Sequence, residues 1–66
     1  MAIQLNGKTR RVPDGVSVGE LVDRLELDGS HLVVEHNGEA IRFAEARALQ
    51  LKDGDRLELV RPVAGG

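Results

Sequence analysis

Five Asn-Gly or Asp-Gly dipeptides fall within 66 residues, at Asn6-Gly7, Asp14-Gly15, Asp28-Gly29, Asn37-Gly38 and Asp53-Gly54. Each can take the positive φ of a tight turn, so together they divide the chain into short elements. Between Ala2 and Asn6 the apolar Ile3 and Leu5 alternate with Gln4, and Asn6-Gly7 suits a two-residue hairpin into a strand over residues 8–12. Pro13 closes that strand by removing a ladder donor.

Ser17-Val18-Gly19-Glu20 has the form of a capping box, in which the Ser oxygen takes an orphan amide and the Glu reaches back. A helix starts there. Val18, Leu21, Val22 and Leu25 follow the i, i+3, i+4, i+7 stripe, while Glu20, Asp23 and Arg24 face water. Gly29 is the expected C-terminal stop. Gly19, unfavourable in a helix, is expected to allow close packing on the sheet.

His31 to His36 is β-rich, and Asn37-Gly38 turns it into a second hairpin arm over residues 39–42. Phe43 to Gln50 favours helix by composition but is short and uncapped, which predicts an irregular or single-turn connection with Leu49 and Leu51 plugging the core. After the Asp53-Gly54-Asp55 turn, the alternation in residues 56–61 marks a last strand that Pro62 ends. Two hairpins and one striped helix cannot bury their apolar faces separately. The predicted fold is therefore α+β, a mixed sheet of four to five strands packed on one α-helix, with the last strand central and parallel to the first.

A chain of this length is one domain, with 41 % hydrophobic and 30 % charged residues, too apolar for a disordered segment. It has no apolar run of membrane-spanning length and no basic and apolar leader after Met1, so a cytoplasmic protein without membrane association is expected. The absence of Cys removes disulfides, thiolate nucleophiles and Cys-based zinc sites. A net charge of −2 and a single aromatic, Phe43, argue against a nucleic-acid surface. No nucleotide-cradling glycine motif is present. The remaining feature is the end of the chain, Pro62-Val63-Ala64-Gly65-Gly66, a segment of small cross-section suited to threading a narrow enzyme cleft, with Val63 as an apolar anchor.

The ordered set Ile3-Gln4-Leu5-Asn6-Gly7, Val16-Ser17-Val18-Gly19-Glu20-Leu21, Val33-Val34-Glu35-His36-Asn37-Gly38 and Leu51 to Val60, running into Val63-Ala64-Gly65-Gly66, resembles the ubiquitin-like β-grasp sulfur carriers, most closely the thiamine-biosynthesis sulfur carrier family, ThiS. The resemblance implies a β-grasp domain over residues 1–61 and a flexible Gly-Gly tail over residues 62–66. It implies that Gly66 is acyl-adenylated by an E1-like adenylyltransferase of the ThiF type and converted to a thiocarboxylate. The sulfur, from a cysteine-desulfurase-derived source, is then handed to a thiazole synthase of the ThiG type. ATP and Mg²⁺ belong to the activating partner, and the chain itself binds no cofactor and is the substrate of that chemistry. The alternatives are the small subunit of molybdopterin synthase, which tends to be longer and more aromatic near its tail, a ubiquitin-like protein modifier, and a non-covalent binding module.

Strand alternation with Leu57 and Leu59 inward turns Glu58 and Val60 outward, and Leu32 and Val34 inward turn Val33 and Glu35 outward. These four residues form the predicted partner-docking patch beside the tail exit. His31 and His36 match no metal or catalytic spacing and are expected to be solvated strand ends. Lys8, Arg10 and Arg11 are expected to be a solvated edge, and Glu45, Asp53 and Asp55 to have surface and turn roles.

Overall fold

The Asn-Gly dipeptides form both hairpins. Asn6 and Gly7 take φ of 50° and 82°, and Asn37 and Gly38 take 49° and 91°, the consecutive left-handed residues of a type I′ turn, which matches the twist of the flanking strands. The computed structural model describes residues 1–61. Its elements are β1 (Ala2–Leu5), β2 (Lys8–Arg11), α1 (Val18–Arg24), β3 (Val33–His36), β4 (Glu39–Arg42), a single helical turn α2 (Phe43–Ala46) and β5 (Arg56–Val60).

The strands form one sheet in the order β2-β1-β5-β3-β4. β5 lies in the middle and parallel to β1, as the sequence predicts; it is antiparallel to β3, and the outer pairs are the two hairpins. Ile3, Leu5, Val34 and Leu57 from the sheet meet Val18, Leu21 and Val22 of α1 in a single core. Leu51 is buried there and Leu49 packs against it, as expected. Burial of these apolar side chains, at about 1.5–3 kcal/mol for each large one, is what holds so short a chain folded.

The start of α1 satisfies all four of its orphan amides. Ser17 N–H donates to Glu20 Oε1 and Glu20 N–H to Ser17 Oγ, completing the capping box. The amides of Val18 and Gly19 donate to the carbonyls of Leu49 and Arg47, at 2.9 and 3.0 Å. Residues 47–50 therefore serve as the remaining cap of α1, and the connection is a single turn followed by a strap, joined to Ser17 by an isolated bridge at Gln50. Gly19 is needed for this approach and not for packing on the sheet, since a Cβ there would stand 3.0 Å from the Arg47 carbonyl oxygen.

α1 ends earlier than Gly29. Leu27 N–H reaches the Val22 carbonyl and Glu26 N–H that of Asp23, the two bonds of a Schellman motif, and Glu26 occupies its left-handed position at φ 56°. The strain that a glycine would avoid is carried here by a glutamate. Gly29 has a tertiary role instead, because a Cβ on it would run into the ring of Phe43.

Candidate functional site

β5 brings the chain out of the middle of the sheet. On one side β1 pairs with it at Gln4 opposite Arg56 and Leu5 opposite Leu57, and Asn6 N–H extends the ladder to the Leu57 carbonyl at 2.9 Å. Where backbone pairing with β1 stops, the Asn6 side chain takes over, its Oδ1 accepting the Leu59 N–H at 2.8 Å. On the other side β3 pairs with β5 as far as Val60. The strand is thus hydrogen-bonded on both sides almost to its last residue. Asn6, read from sequence only as a turn residue, is part of that support.

The alternation expected for β5 is present: Leu57 is fully buried and Leu59 half-buried, while Glu58 and Val60 are exposed. In β3, Val34 is fully buried and Val33 and Glu35 are half-exposed on the other face. The register then places Val33 directly opposite Val60 and Glu35 directly opposite Glu58. Directly opposed side chains stand roughly 4.5–5.5 Å apart at Cβ. The four residues therefore form one patch, an apolar pair at the exit end and an acidic pair behind it. Val60 is 43 % exposed, one of two large apolar side chains left open to solvent among the described residues. Arg42 of β4, which sequence reasoning did not assign to this region, lies opposite Val33 and extends the apolar row with a guanidinium. The two-residue Asn37-Gly38 turn fixes the register that puts it there, a step the alternation argument for β3 and β5 did not take.

The other end of β5 is tied down by a polar cluster. His36 Nε2 lies 3.0 Å from Asp55 Oδ2, Lys52 N–H donates to the same oxygen at 2.9 Å, and the Asn37 amide donates to Asp55 Oδ1 at 3.3 Å. His36 is consequently not a solvated strand end: its side chain is 21 % exposed and that of Asp55 12 %. The pairing spans two turns far apart in sequence, which spacing could not reveal. Burial acts to raise the Asp55 carboxyl, but the hydrogen bonds from His36, the Lys52 amide and Asn37 outweigh it and hold the group below its ordinary range. Asp53 has the expected turn position and also accepts the Ala2 N–H at 2.9 Å.

His31 is exposed in the loop before β3, as expected, and Lys8, Arg10 and Arg11 lie exposed along the edge strand β2. Glu45 is exposed on α2. Among the described residues, no group of three His, Cys, Asp or Glu is placed to hold a metal ion, and no helix is long and apolar enough to cross a membrane. Val63, Ala64, Gly65 and Gly66, the tail residues predicted from sequence, lie outside the described residues. Within residues 1–61 the arrangement is a two-toned surface, apolar and acidic, at the end of a central strand.

The model of the ThiS family matches residues 3–66. The chain belongs to the ThiS family. The crystal structure of the thiamine biosynthesis protein ThiS from Geobacter metallireducens superposes with a TM-score of 0.84 at 32 % identity, over 100 % of both chains. A solution structure of a thiamine biosynthesis protein from the same organism gives 0.78 at 32 % identity, covering 100 % of this chain and 88 % of that one. A thiazole synthase of Paramagnetospirillum magneticum is 30 % identical over all 66 residues. The chain spans 20 % of the length of that curated relative. The ThiS resemblance read from the turn, cap and strand residues is borne out, as is the ubiquitin-like β-grasp fold.

Proposed function

We propose that this ThiS-family chain is a sulfur carrier for thiamine biosynthesis, with the C-terminal carboxylate of Gly66 as its working group. The carboxylate is a poor electrophile until one of its oxygens attacks the α-phosphorus of ATP in the ThiF-type partner and pyrophosphate leaves. A sulfur nucleophile then adds to the acyl carbon and AMP departs, leaving a thiocarboxylate. Where the sulfur arrives as a persulfide from a cysteine desulfurase, a thiol must also cleave the sulfur–sulfur bond. ATP and Mg²⁺ are supplied by the partner. The chain is substrate throughout, and a ThiG-type thiazole synthase is the acceptor of its sulfur.

The observation that carries this reading is the family match, which runs through Gly65 and Gly66 to the last residue. The likeness over the full 66 residues to part of a thiazole synthase supports the choice of acceptor. The docking role of Val33, Glu35, Glu58 and Val60 is supported by their gathering beside the β5 outlet. There the two valines would serve as apolar anchors and the two glutamates would meet partner Arg or Lys side chains.

The test is the intact mass of the full chain purified together with its host enzymes, read at the C-terminal peptide. Exchange of one carboxylate oxygen for sulfur is expected. Gly66 joined to lysines of other proteins would instead make the chain a modifier. Full function after deletion of Gly65 and Gly66 would make it a non-covalent binding module.

A further inference from the structure

An open groove of about 670 Å³ lies beside the docking patch, between the loop preceding β3 and the α2 turn. Val33, Phe43 and Ala44 supply its apolar lining, and Arg42, Arg47 and His31 its cationic or cation-capable rim. Val33 belongs to both groove and patch, and stands opposite Val60 on one side and Arg42 on the other, so the two surfaces are continuous. Arg61, where the described chain leaves β5, brings a third guanidinium to 3.4 Å from the Asp28 carbonyl at the groove wall.

The walls are held in place. Phe43 N–H donates to the Leu32 carbonyl at 3.0 Å, and Gly29 packs so closely on the Phe43 ring that no side chain fits between them. Among the described lining residues the guanidiniums outnumber the carboxylates. Asp28 is the one carboxylate among the described lining residues, and its Oδ1 accepts the Ser30 N–H at 2.9 Å. The ion pairs among the described residues are Met1–Asp14 and His36–Asp55, and neither involves Arg42 or Arg47. In a chain of net charge −2, two exposed guanidiniums beside an apolar strip are a local reversal of sign.

We infer that this groove receives an acidic segment of the adenylating partner, whose carboxylates engage Arg42 and Arg47 while an apolar side chain rests on Val33 and Phe43. The inference rests on the proposed docking face, which it extends. Guanidinium groups bind carboxylates through paired N–H donors, and the apolar strip between them excludes water from the pair. The acidic pair Glu35 and Glu58 and the basic pair Arg42 and Arg47 then ask for opposite charges on neighbouring parts of one partner, which sets its orientation as well as its affinity.

The experiment is calorimetric titration of the full chain with the host's adenylating enzyme at low and high salt. It uses wild type, the double variants Arg42→Glu/Arg47→Glu and Arg42→Lys/Arg47→Lys, and Val60→Asp, with circular dichroism of each to verify folding. The Glu double variant is expected to bind roughly tenfold more weakly or worse and to lose much of the salt dependence, while the Lys variant retains most of the affinity. Unchanged affinity in a folded Glu double variant overturns the inference. If Val60→Asp alone weakens binding, the sheet-face reading survives without the groove. If only the Glu double variant weakens it, the groove survives and the sheet-face reading fails. A parallel titration with inorganic phosphate, followed by amide shifts at residues 30–33 and 42–47, separates the anion alternative. Saturable shifts there, with partner affinity unaltered by charge reversal, would make the groove a small-anion site.

Discussion

Glu35 of β3 and Glu58 of β5 are directly opposed across the two central antiparallel strands, on the face turned away from α1. Neither is in an ion pair among the described residues. Like charges placed this way cost about 0.2–1 kcal/mol. Neutralising one should therefore help the isolated domain and harm its proposed partnership. Glu58→Gln is expected to raise stability by a few tenths of a kcal/mol up to about 1 kcal/mol in urea denaturation, and to weaken binding to the adenylating partner. A less stable variant would mean that the opposed carboxylates do not repel appreciably.

Glu26 carries the left-handed turn that ends α1, at φ 56°, with the Schellman bonds to Val22 and Asp23 in place. A side chain pays for that conformation and glycine does not, although glycine gains more freedom when unfolded. The net expectation for Glu26→Gly is a gain of about 0.5–1 kcal/mol, and for Glu26→Ala no comparable gain. Thermal denaturation of the two variants side by side checks it, because both lose the same charge and only one relieves the backbone.

Asp55 is one carboxylate that ties the stability of the domain to acid pH. Its carboxyl is held below the ordinary value of 3.8 in the folded chain, so the unfolded chain binds the proton more readily. The stabilisation is fully present above the unfolded value and is lost as pH falls through the lower folded one. Asp55→Asn should lower stability at neutral pH by about 1–3 kcal/mol and flatten the decline of melting temperature below about pH 4. A variant with the wild-type acid profile would show that another carboxylate controls it.

Much of the fold is legible because its signals are local. Asn6-Gly7 and Asn37-Gly38 form their turns from their own backbone preferences, and Ser17 and Glu20 cap α1 across three residues. The patch of Val33, Glu35, Glu58 and Val60 could be read from alternation once β5 was placed in the middle of the sheet. What escaped depends on contacts distant in sequence. Gly19 faces the Arg47 carbonyl, Gly29 faces the Phe43 ring, Ala46 is buried in a turn that composition made ambiguous, and His36 finds Asp55 across 19 residues. The end of α1 was misplaced because glycine is only the commonest occupant of the left-handed position, and Glu26 satisfies the same two bonds at a cost.

Gly29 gives a test of that tertiary contact. A Cβ there meets the Phe43 ring, which also lines the groove, so Gly29→Ala must displace the ring or the loop. The expected loss is about 1–3 kcal/mol, the range for overpacking a close contact, with amide shifts concentrated at residues 28–33 and 42–47. Ala at Gly15, where a Cβ would meet nothing but the backbone is left-handed, should produce no such shifts in the groove.

The tail prediction separates access from folding. Residues 1–61 contain the whole described core, so a change at Gly65 should leave denaturation curves unaltered. If Gly66 must enter a narrow nucleotide-charged cleft, a β-branched side chain one residue earlier adds width at the point of least clearance. Gly65→Val is therefore expected to retain wild-type stability and near-wild-type affinity for the adenylating partner, since the proposed docking residues are untouched, while pyrophosphate release falls by at least roughly tenfold, a loss of about 1.4 kcal/mol in transition-state stabilisation. Gly65→Ala should fall between the two. Adenylation of the Val variant at the normal rate would show that the cleft does not read the width of the tail, and the case for two terminal glycines would then rest on the acyl chemistry of Gly66 alone.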